Sequence, residues 1–166
     1  MKHLIWVPII SLLLEMIFSC FIPLNTNIYN CLFVLTSLII ICPYFSSKSA
    51  IFYKICLFSG FLYDIIMNNT LFLNSIVFAT LGFLIYHIYQ MISNHIITSV
   101  VITIVIIILY RLVSFILLLF IGYLKWDILK LIHSITSSFL LNVIYAILIY
   151  YIVRYIAKKL KIIKFY

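Results

Sequence analysis

Six long apolar runs, Leu4 to Ile22, Ile28 to Pro43, Ile51 to Met67, Leu71 to Ile92, Ile96 to Leu124 and Leu129 to Ile156, follow one another along the chain. About 20 apolar residues in a row are what an α-helix needs to cross the hydrocarbon core of a bilayer. Within that core only helices and closed barrels satisfy their own backbone. The connections "PLNTN", "YFSSKSA", "MNNT", "SNH" and "KWD" are short, which makes consecutive helices antiparallel neighbours. Hydrophobic residues fill 67% of the 166 positions and charged ones only 8%, against roughly 25% charged in soluble domains. The expected fold class is therefore an all-α polytopic membrane protein: one six-helix transmembrane domain over residues 1–156 and a basic tail over 157–166. The second run is the shortest and ends at Pro43, so five spans is the alternative count.

The net charge of +8 is sorted by loop and tail rather than gathered on a soluble face, which speaks for membrane topology and against nucleic acid. With the N-terminus in the cytoplasm, Lys2, Lys48, Lys54, Arg154, Lys158, Lys159, Lys161 and Lys164 fall on the cytoplasmic side. Only Lys125 and Lys130 fall on the other, partly offset by Asp127. From that bias a multi-pass protein with both termini in the cytoplasm is expected. Cys20, Cys31, Cys42 and Cys56 lie in apolar runs without CxxC spacing and read as small hydrophobes. "MIFSC" is a poor lipoprotein signal, because Phe18 is bulky and Glu15 interrupts the apolar segment. No HExxH, Gly-rich phosphate loop or suggestive Ser-His-Asp set is present, so neither an enzyme nor a cofactor is expected.

Three ionisable residues fall inside spans: Glu15, Asp64 and Arg111. Each costs about 2.5–3.5 kcal/mol at a helix centre if left alone. A rise of about 1.5 Å per residue from the cytoplasmic ends puts them at roughly 17, 20 and 22 Å, in one layer of the outer half of the bilayer. The expected arrangement is an ion pair of Asp64 with Arg111, with Glu15 as the competing partner. The alternative is a cluster lining a ligand or partner cavity. Gly60 and Asp64 share a helix face, where the glycine permits close approach of a neighbour. After "MNNT", Asn74 returns near the depth of Asp64, so carboxylate and amide are expected to lock an outer hairpin. His133, Ser134, Ser137, Ser138 and Asn142 form a polar stripe on the last span, expected to pack helices. Lys158, Lys159, Lys161 and Lys164 suit an anionic lipid surface.

Across the third and fourth spans, Gly60, Leu62, Tyr63 and Asp64, then Leu71, Leu73, Asn74 and Gly82, resemble the pattern of the MreD family of the bacterial rod-shape complex. The match is dense over about 30 residues and elsewhere rests on hydropathy; Phe72 departs from it where many members carry glycine. The resemblance implies a non-catalytic scaffold in the bacterial cell membrane, without a cofactor. It implies binding to the single-span protein MreC, and indirect coupling to MreB filaments and the cell-wall synthases. It also implies a helix arrangement similar to the substrate-binding subunits of energy-coupling-factor vitamin transporters. A vitamin-binding subunit is thus the alternative function, although Ala79, Ala146 and Ala157 stand alone where those subunits carry small-residue docking motifs.

Overall fold

The computed structural model describes residues 2–21, 31–45, 48–68, 72–92, 95–122 and 128–160, and every regular element among them is helical. After a 3₁₀ turn at Lys2–Ile5 come α1 (Trp6–Phe21), α2 (Phe33–Ile41), α3 (Ser49–Tyr63), α4 (Leu73–Met91), α5 (Ile96–Phe120) and α6 (Ile128–Lys159). Helices over Ser49–Met67, Leu73–Met91, Ile96–Phe120 and Leu131–Lys159 are long and apolar enough to cross a membrane; Trp6–Cys20 and Phe33–Phe45 are shorter apolar helices. Large apolar side chains such as Ile97, Phe120 and Leu148 point out of the bundle, as lipid-facing residues do. The protein is an all-α polytopic membrane protein.

The shortest helix sits in the middle. The sequence of α2, "FVLTSLIII", has no polar face, and a helix apolar all round is a buried one. All nine of its residues are buried. It packs against α1, α4, α5 and α6. Thr36 and Ser37 turn their hydroxyls onto the Phe33 and Val34 carbonyls, 2.8 and 2.7 Å away, and so place no unsatisfied group in this interior. Pro43 lacks the N–H that would continue the α-ladder, and the chain tightens there into a 3₁₀ turn, Cys42–Phe45. The helix begins at Phe33, later than the Ile28 expected from hydropathy, and helical structure continues past Pro43 only as that 3₁₀ turn; residues 22–30 lie outside those described.

Among the described residues, the hairpin of α3 and α4 is the most extensive helix pairing. Gly60 makes it possible: a Cβ there would stand 2.6 Å from the Asn74 carbonyl oxygen and 2.7 Å from Ser75 Cα. Gly82 does the same one face along, where a Cβ would meet Cys56 Sγ at 2.6 Å. Past Tyr63 the ladder of α3 widens into a π turn, Asp64–Asn68. Residues 69–71 are not among those described, and α4 is entered through Phe72, whose φ of 61° is left-handed.

Candidate functional site: a polar layer that closes two helix ends

Asp64 is 1% exposed, and its carboxylate lies across the start of α4. Oδ1 accepts the Asn74 backbone N–H at 3.0 Å and Asn74 Nδ2 at 2.8 Å. Oδ2 accepts the Ser75 N–H at 3.0 Å and Ser75 Oγ at 3.2 Å. A helix leaves its first N–H groups without intrahelical partners, and a cap side chain at the helix entry normally takes one of them. Phe72, at the cap position, makes no such bond. The acid that ends α3 takes over the task, and the positive end of the α4 dipole favours its charge.

Glu15 repeats the solution at the next helix. It is 1% exposed, and Oε2 accepts the Val34 N–H at 3.1 Å. Tyr63 Oη donates to the other oxygen, Oε1, at 2.8 Å. Two residues before Val34, the Leu32 N–H donates to Asn142 Oδ1 of α6 at 2.8 Å. Helix α2 with its 3₁₀ turn is about 20 Å long, short of the roughly 30 Å hydrocarbon core. Its first amides thus open inside the apolar interior, where an unpaired N–H costs several kcal/mol. Glu15 and Asn142 supply the acceptors that water cannot.

The two closures belong to one layer. Tyr63 precedes Asp64 and reaches Glu15, while Tyr110 precedes Arg111 and donates to Asn74 Oδ1 at 2.8 Å. The Arg111 guanidinium lies 5.8 Å from the Tyr110 ring centroid and within Coulombic reach of Glu15 and Tyr63. All six helices contribute: Glu15 from α1, the opening amides of α2, Tyr63 from α3, Asn74 and Ser75 from α4, Tyr110 from α5 and Asn142 from α6. A second tie runs beside it, where Ser11 and Tyr145 share a 2.7 Å hydrogen bond and Tyr145 stacks on Phe33 at 4.2 Å between centroids.

The structure gathers Glu15, Tyr63, Asp64, Asn74 and Gly60 at this layer. Leu73 is half-buried against the core, and Gly82 lies farther down the α3–α4 contact. Lys158 and Lys159 end α6, exposed. Lys161, Lys164 and Leu71 lie outside the described residues, as do Tyr123, Lys125, Trp126 and Asp127. Ser75 and Tyr110 are members that sequence reasoning missed. The available signal was a doubled pattern, "YD" at 63–64 and "YR" at 110–111, together with two cap-forming residues, Asn74 and Ser75, at a helix start. Asn142 was noticed as part of a packing stripe and not as an acceptor for a helix end. Among the described residues no group of three or more His, Cys, Asp or Glu is placed to hold a metal ion.

No curated protein and no solved structure matches the chain. The family model of rod shape-determining protein MreD, however, matches residues 1–160, from the first span through the end of α6. That match takes in the whole polar layer as well as the Gly60–Gly82 segment, and the chain belongs to the MreD family of rod shape-determining membrane proteins.

Proposed function

We propose that the protein is a non-catalytic membrane scaffold of the cell-wall elongation machinery. It would bind an MreC-like single-span protein and, through it, connect MreB filaments with the cell-wall synthases. Both termini face the cytoplasm in this reading, following the distribution of Lys and Arg. The observation that carries it is the use made of the buried acids: Asp64 and Glu15 are each engaged by backbone amides of a neighbouring helix. A carboxylate spent on closing a helix end builds the bundle, whereas a catalytic or transport site needs polar groups turned toward a ligand. The outward faces of α4, α5 and α6 carry large exposed apolar side chains such as Phe83, Val105 and Leu148, which suits recognition of another membrane helix by packing.

The test is isolation from the native membrane in mild detergent. A single-span partner with an extracytoplasmic domain should accompany the protein in stoichiometric amount. A vitamin released in equimolar amount on denaturation would replace this reading with that of a transporter subunit.

A further inference from the structure

A groove of about 250 Å³ runs from the opening 3₁₀ turn and the first two turns of α1 along most of the length of α3, from Ile51 to Leu62. Ile5, Ile9 and Leu12 form one wall and Ile51 and Phe58 the other, and Lys54 is the one charged residue among those lining it. Both helices begin at the same end of the bundle, since α2 returns the chain between them. Lys54 is exposed and lies in the second turn of α3, close enough to that end for its four-carbon stem to carry the ammonium to the bilayer interface.

We infer that this groove seats a phospholipid with an anionic headgroup, one acyl chain lying against Ile9 and Phe58 and the phosphate meeting Lys54. Its lining favours a lipid chain: apart from Lys54 and Ser59 every residue along the groove is apolar, and the cleft follows α3 lengthwise as an extended acyl chain would. Charge selects the headgroup. Of the chain's acids, Glu15 and Asp64 are held on helix ends, and Asp64 stands about 15 Å farther along α3 than Lys54. Basic residues at the cytoplasmic ends of membrane helices are where anionic headgroups bind. The leaflet assignment rests on the orientation proposed above, but headgroup selection by Lys54 does not.

Native mass spectrometry of the full-length protein, delipidated in non-ionic detergent, tests it. Phosphatidylglycerol and phosphatidylcholine of matched chains are the probes, with melting temperature as the control for folding. The wild type should prefer phosphatidylglycerol by about fivefold. Lys54→Gln should bring the two lipids to equal occupancy, and Ile9→Trp, which fills the groove, should lower both. An unchanged preference in Lys54→Gln, or unchanged occupancy in Ile9→Trp, would overturn the inference. So would displacement of the bound lipid by a co-purified single-span partner, which would give the groove to that partner. Because the lipid preferences and occupancies are read on the chain without its partner, their failure leaves the scaffold reading standing, and the converse also holds.

Discussion

Asp64 and Asn74 face each other across the α3–α4 hairpin with the carboxylate accepting both the backbone and the side-chain N–H of the asparagine, at 3.0 and 2.8 Å. The backbone bond closes the helix and the side-chain bond orients the amide, whose carbonyl is then presented to Tyr110. Asp64→Ala should therefore cost about 2 kcal/mol or more, because it strands buried donors. Asp64→Asn keeps one acceptor and should cost less. Thermal unfolding in detergent would rank them; equal losses would show that the cap is not the source of the effect.

Arg111 bears on the same layer. Removing either partner of a buried charge pair strands the other, whereas removing both relieves the strain. Asp64→Asn combined with Arg111→Gln should accordingly be better tolerated than Asp64→Asn alone. Folded yield in a double-mutant cycle measures this. Additive losses there, with coupling between Glu15 and Arg111, would assign the arginine to Glu15 instead.

Glycine substitutions should separate backbone contact from side-chain contact. Gly60→Ala pushes a methyl into the Asn74 carbonyl and the Ser75 backbone, neither of which can move without opening the hairpin. The loss should far exceed the helix-propensity gain of about 1 kcal/mol. Gly82→Ala meets Cys56 Sγ, a side chain. Adding Cys56→Ala should restore much of the melting temperature lost by Gly82→Ala and none of that lost by Gly60→Ala.

Phe72 holds a left-handed conformation that costs a non-glycine residue about 1–2 kcal/mol. Its ring stacks on Phe61 with centroids 5.5 Å apart, which offsets part of that cost. Phe72→Gly removes both terms and should be near neutral. Phe72→Ala keeps the strain and loses the ring, so it should be the less stable of the two. The reverse order in melting temperature would refute this balance.

The basic end of the chain should act on lipid and not on the partner. Replacing Lys158, Lys159, Lys161 and Lys164 by glutamine should weaken pull-down by anionic vesicles while co-isolation of the partner continues. Each lysine near an anionic surface contributes about 1 kcal/mol. Orientation is checked separately: a cysteine beside Lys161 should resist an impermeant reagent applied outside intact cells.

The helical fold was legible because apolar runs of spanning length leave few alternatives. The site was legible only in part. Helical rise alone set Glu15, Asp64 and Arg111 at one depth, and the amide of Asn74 was recognisable beside the hairpin. What the sequence could not reveal is that Glu15 and Asp64 accept hydrogen bonds from backbone. A backbone amide has no letter of its own. Its need for an acceptor depends on where a helix starts relative to the bilayer, and for α2 that start lies at Phe33, after Leu32, a cap residue with no capping side chain to mark it. Asn142, 110 positions from the amide it satisfies, was equally beyond any local pattern.

The shortness of α2 also bears on how the polypeptide is built into the bilayer. A segment of this length has little to hold it in lipid by itself, and its leading amides need two acceptors that arrive at different times. Glu15 precedes it and can enter with it as a hairpin. Asn142 belongs to the last helix, so the Leu32 amide stays open until synthesis is nearly finished. Insertion of the central helix is thus completed by the final one, and a chain halted before α6 would carry its innermost segment unlatched.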